Sequence, residues 1–127
     1  MILLIILLIS GLFCLEIFKF VKSYYYIDSY IQQQGIKKED IIASQFFKSF
    51  KTGNYERCIV VKEEKDKNIF YDYRSYHNEV DFYSMETYTE RFNRILSGEK
   101  NLWEGIELSN EKEKQIAYPR LQNHQKK

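Results

Sequence analysis

The sequence predicts an α+β protein: one N-terminal transmembrane helix, then a small antiparallel β-meander of three or four strands packed with one amphipathic helix. Three observations predict this. Residues 1–15 carry no charged side chain. Residues 41–83 hold short runs of β-branched and aromatic residues separated by short polar links. Residues 85–97 repeat apolar side chains at helical spacing.

The first segment, MILLIILLISGLFCL, stays apolar beyond Leu15 through Ile17, Phe18, Phe20 and Val21. A helix of 21 residues is about 31 Å long, enough for a hydrocarbon core. Glu16 and Lys19, three apart, share a helix face and can pair where the bilayer meets water. Tyr24, Tyr25 and Tyr26 follow, where an interfacial aromatic belt belongs. A buried core helix would need a polar face, and residues 1–15 have none. A cleaved signal peptide would need a basic start and small residues at a later cleavage site. Leu12 and Phe13 before Cys14 do not suit a lipoprotein signal. The expected organisation is therefore an uncleaved anchor over residues 1–22, a domain over 23–108 and a polar, flexible tail over 109–127.

Beyond the anchor, Tyr26, Ile27, Tyr30 and Ile31 continue the helical spacing to about residue 34, and Gly35 suits its C-terminus. Strands are expected at 41–50, 55–63 and 68–76, with a fourth, shorter one at 79–83. Thr52-Gly53-Asn54 makes a hairpin link, and residues 62–67 read as a solvated charged turn. Ile69, Tyr71 and Tyr73 alternate onto one face. For the helix at 85–97, Met85, Tyr88, Phe92, Ile95 and Leu96 form the apolar stripe. Ser84 or Thr87 is the expected cap and Gly98 the stop. Leu102, Trp103, Ile106 and Leu108 suggest a further short packed segment.

Composition narrows function. Without residues 1–22 the chain holds 17 basic and 17 acidic side chains, a balance that argues against nucleic acid as a partner. Cys14 in the apolar run and Cys58 in a strand cannot meet as a disulfide, and neither has a histidine or second thiol at metal-ligand spacing. Both read as small hydrophobes. His77 stands in a polar turn and His124 in the tail. Asp72 and Asp81 are the one carboxylate pair considered for acid–base work, although a meander places such groups on outer faces. No phosphate loop, zinc spacing or nucleophile elbow occurs. No catalytic, metal or cofactor-binding residue is assigned, and no enzyme is expected. Tyr71, Tyr73, Tyr76 and Tyr83 are the candidate partner-binding face, since tyrosine is enriched at binding hot spots. The plainer reading is that Tyr71 and Tyr73 cover the sheet beneath the later helix.

Residues 27–31 (IDSYI) and 35–41 (GIKKEDI), with the Tyr-rich stretch at 70–73 (FYDY), carry a resemblance. Over residues 1–76 the chain resembles a family of small membrane-anchored proteins from Gram-positive bacteria built on a domain of unknown function. It departs from that pattern in having no basic residue before the helix and in extending through 84–127. The resemblance implies a single-pass protein with its domain on the outer face of the cell membrane, and no activity. The charge pattern points the other way, because Lys19 and Lys22 follow the apolar run. The expectation is an extracytoplasmic, envelope-associated binding domain. Its partners would be the lipid bilayer and one protein, with protection against a secreted toxin among its duties. The alternative is an accessory subunit acting through its helix, for which Ser10-Gly11 offers a close-packing spot.

Overall fold

The structure, a computed structural model, describes residues 1–121. It holds a long N-terminal helix, a five-stranded antiparallel sheet in the order β1-β2-β3-β4-β5, and short C-terminal helices. The α+β class and the meander stand as expected, with a fifth strand added.

Helix α1 (Ile2–Gln33) is continuous, so the apolar segment and the domain share one element. Its apolar N-terminal part is exposed on all sides, and the helix is long and apolar enough to cross a membrane. Its C-terminal part buries Ser23, Ile27, Tyr30 and Ile31 against the sheet. Gly35, at φ 84°, ends it: the Gly35 N–H bonds to the Gln32 carbonyl, and the Ile36 N–H to that of Ile31. That pairing is a Schellman motif, and buried Ile36 and Ile31 supply its apolar contact.

The chain then doubles back. Strands β1 (Ile41–Lys48), β2 (Tyr55–Val61), β3 (Ile69–Tyr76) and β4 (Glu79–Glu86) follow one another across the sheet. The pairing places Arg57 opposite Tyr73 and Tyr73 opposite Phe82, so the residues of one face line up across three strands. That face, under α1, holds Ile59, Val61, Tyr71, Tyr73, Val80 and Phe82. The opposite face holds Cys58, Val60 and Phe70, covered by Phe92 and Ile95 of α2 (Thr89–Leu96). A sheet with both faces covered explains why β2 and β3 are buried almost throughout.

Two boundaries differ from expectation for one reason. Residues 85 and 86 belong to β4, because Met85 and Glu86 pair with Phe70 and Ile69 to the full length of β3. Helix α2 therefore starts later, with Tyr88 in the N-cap position and no side-chain cap. Ser84 is buried in the sheet, and the Thr87 N–H is bonded to the Asn68 carbonyl, so neither caps it. Gly98 ends α2 with a second Schellman pattern, its N–H on the Ile95 carbonyl and that of Glu99 on Arg94. Of the expected stripe, Phe92 and Ile95 are buried and Leu96 is half-buried, while Tyr88 is exposed.

Strand β5 (Ile106–Glu107) pairs with Met85 and Glu86. Gly105 permits the approach, since a Cβ there would lie 2.6 Å from the Glu86 carbonyl oxygen. After helix α3 (Asn110–Glu113), Ile116 is buried and Tyr118 and Leu121 pack on the α1-side core. The expected flexible tail is thus corrected over 109–121; residues 122–127, with His124, lie outside the described residues. The cause is a set of buried tyrosine hydroxyls needing partners. Tyr118 N–H donates to the Tyr71 hydroxyl, and Leu121 N–H to that of Tyr30. The solvated turn at 62–67 is corrected at one residue: Glu64 is fully buried, its Oε1 accepting from the Ala117 N–H.

A half-covered sheet face as the candidate functional site

Helix α2 covers only part of its sheet face. The uncovered part lies toward the β1–β2 hairpin, and the side chains alternating onto it there are polar: Glu56 from β2 and Asp72 and Arg74 from β3. They form the floor of an open cleft of about 1000 Å³. Phe47 and hairpin residues 48–52 wall it on one side, and Met85, Asn101, Trp103, Glu104 and Gly105 on the other. Gln45 holds the Trp103 wall in place. Its Oε1 accepts from the indole N–H at 2.8 Å and from the Asn101 N–H at 3.0 Å. The Phe70 ring packs edge-on beneath Trp103 at 5.3 Å.

Pairing in the ladder dictates the floor's chemistry. Glu56 stands opposite Arg74 and Cys58 opposite Asp72. Asp72 is 4 % exposed; it accepts a hydrogen bond from Arg74 Nε at 2.9 Å and forms an ion pair with Nη2 at 2.9 Å. The guanidinium also lies over the Tyr83 ring, 4.2 Å from its centroid. Burial pushes the Glu56 carboxyl up to about 7, and the neighbouring Asp72 charge and a hydrogen bond with Asp72 add to this. Burial raises Asp72 as well, against the pull of Arg74. The two carboxyls and one guanidinium thus form one electrostatic group, in which burial and mutual repulsion favour the protonated acids against the pull of Arg74. Cys58 points its thiol at Asp72 Oδ1 (3.5 Å), and burial pushes that thiol well up, so it is a poor nucleophile.

One ligand atom each from Glu56, Cys58 and Asp72 lies within 4.8 Å of the others, a set that zinc could take in type and spacing. The surroundings oppose it: Arg74 already holds Asp72 Oδ2, and a metal would have to displace that guanidinium and deprotonate a thiol raised by burial.

The residues singled out from sequence fall in different places. Tyr71 and Tyr73 are fully buried beneath α1, so they do not form an exposed partner-binding face with Tyr76 and Tyr83. Alternation along β3 and β4 sends Tyr83 to the opposite side of the sheet, beside the cleft floor, and Tyr76 is exposed near the β3–β4 turn. The covering element is α1 rather than α2: the Tyr73 hydroxyl donates to Gln34 Oε1, and the Tyr30 ring lies edge-on to Tyr73. Asp81 stands opposite Arg74, while the carboxyl coupled to Asp72 is Glu56, not Asp81. His77, at φ 54°, occupies the exposed β3–β4 turn against Tyr76.

Glu56, Arg74 and Trp103 are the site residues that sequence reasoning passed over. The signal for the first two was a polar side chain at alternate positions of strongly apolar strands, on the face opposite Tyr71 and Tyr73, where no covering element was expected. No protein-family model, curated protein or solved structure matches this chain.

Proposed function

We propose that this is a single-pass membrane protein whose domain binds a protein partner in the cleft between the β1–β2 hairpin and Trp103, without catalysing a reaction. One observation carries the reading. The sheet face is closed by α2 over its apolar half and left open over its polar half, next to the end of α1 that is apolar and exposed. A floor of charges already satisfied by one another, walled by Trp103 and Phe47, suits recognition: aromatic area for affinity, and fixed donors and acceptors for register. Cys58, whose thiol lies beside Asp72, is held protonated by burial and is a poor nucleophile. The domain is placed in the cell envelope, outside the cytoplasm, in line with the resemblance at 27–41.

The test is affinity purification of the full chain from detergent extracts of cells producing it at native level. Wild type is compared with Trp103→Ala and Arg74→Ala. Loss of one defined partner in both variants, with the partner retained by the surface control Asp66→Ser in the exposed β2–β3 link, is the expected result. A partner retained equally by both cleft variants would remove the cleft from the interaction. If it were lost only when residues 1–15 are replaced by an unrelated apolar helix, the chain would instead act through its helix. Gly11, which has nothing within 4 Å of a built Cβ, is the spot for such contact.

A further inference from the structure

The β1–β2 hairpin is held against α1 at a fixed height. The Phe46 ring packs edge-on to Phe20 and Tyr24, at 5.1 and 5.3 Å. Two residues further along β1, Lys48 Nζ reaches Glu16 Oε1 at 2.6 Å, and the Tyr55 hydroxyl donates to the same oxygen at 2.6 Å. Strand β1 therefore runs back along α1 toward its apolar end. Phe50, two residues beyond Lys48, extends that course by up to about 7 Å, the rise of roughly four helical residues. Phe50 is fully exposed at the tip, beside exposed Lys51.

The charge pattern makes this placement consequential. Glu16 and Lys19 are the first charged side chains after the apolar run, so the domain-side edge of a bilayer seated on that run lies at their level, and the hairpin stands alongside Glu16. Lys48 and Tyr55 satisfy the Glu16 carboxylate locally, which lowers the cost of holding it at that depth. An aromatic ring at the tip with a lysine next to it is the composition of an interfacial anchor, the ring among the upper acyl chains and the ammonium at phosphate level.

We propose that the tip of this hairpin is a second membrane contact, with Phe50 entering the interfacial layer and Lys51 meeting anionic headgroups, so that the cleft opens directly above the lipid surface. This rests on the reading of α1 as a membrane anchor.

The test uses the full chain in vesicles of phosphatidylcholine with phosphatidylglycerol, carrying one nitroxide at a time. Native Cys14 reports the helix; Phe50→Cys and Asp66→Cys, each with Cys14→Ser, report the tip and the opposite end of the sheet. Buried Cys58 stays unlabelled. Collision with oxygen relative to a water-soluble nickel chelate measures depth. The expected result is that positions 14 and 50 both report lipid, while position 66 is indistinguishable from water. Position 50 should also become shallower with Lys51→Glu. If position 50 matches position 66 while Cys14 reports hydrocarbon, the anchor stands and the hairpin contact is refuted. If Cys14 itself reports water, the anchor reading fails and the hairpin contact with it. Circular dichroism of each labelled variant confirms the fold, which a substitution at a fully exposed tip should leave unchanged.

Discussion

Glu56 is where a single residue controls the chemistry of the cleft. Its carboxyl is pushed up to about 7 from an ordinary value of 4.5, and Asp72 moves in the same direction. The folded chain therefore holds more protons than the unfolded one across that window. Stability from this source is fully present below about pH 4.5 and declines as the pH rises through about 7. Glu56→Gln keeps the hydrogen bond to Asp72 and removes the titration. It should melt higher than wild type above pH 7, with a flatter dependence of the midpoint on pH between about 5 and 8. A pH profile parallel to that of wild type would mean that Glu56 titrates normally. Zinc gives a second reading of the same group. With Arg74 on Asp72, added Zn²⁺ should leave the melting midpoint unmoved, and Arg74→Ala should make it rise with metal. A rise in wild type would show that the guanidinium does not guard the site. The cluster was hard to see in the sequence because Glu56, Asp72 and Arg74 lie on two strands. Their encounter depends on register, which alternation alone does not specify.

Among the elements, those with strong local signals were legible. Gly35 and Gly98 stop their helices where glycine is needed at positive φ, and the strand cores around Ile59 and Tyr71 lie where β-branched and aromatic runs placed them. Elements set by tertiary demand were not. Met85 and Glu86 read as helix because Met85 fits the stripe with Tyr88 and Phe92, but pairing with β3 outweighs local spacing. The segment 109–121 reads as loose because it is polar overall, yet it lies over the hydroxyls of Tyr30 and Tyr71 and over Glu64. Deleting residues 109–127 should accordingly cost about 3 kcal/mol, from lost burial of Ile116 and from hydroxyls deprived of partners. Urea unfolding measures it, and an unchanged midpoint would mean that the segment does not dock. On the other face, Phe92→Ala should cost about 3–5 kcal/mol, because the ring is 1 % exposed between α2 and the sheet. A loss below about 1 kcal/mol would mean that α2 does not pack there.

At the scale of the whole molecule, one continuous helix is both the segment long and apolar enough to cross a membrane and an element of the core, so an anchor there would couple the domain's position to the bilayer. Residues 23–33 cannot leave the sheet without exposing Ile27 and Tyr30, so the domain cannot swing freely on a linker. On the proposed reading, whichever side of the membrane receives the C-terminus, the cleft is held close to the lipid on that side. Two arguments about the side conflict. Lys19 and Lys22 follow the apolar run, which by charge alone keeps the domain in the cytoplasm. That bias rests on two lysines alone, and the nearby Lys48 is held by Glu16. A domain of this length can translocate despite a weak bias. We therefore expect residues 34–121 outside the cytoplasm. Asp66→Cys in a Cys14→Ser background puts a thiol in the exposed β2–β3 link, while Cys58 stays buried. That thiol should react with a membrane-impermeant maleimide on intact cells whose wall admits the reagent. Reaction only after lysis would reverse the orientation, and the partner of the cleft would then be sought among cytoplasmic proteins.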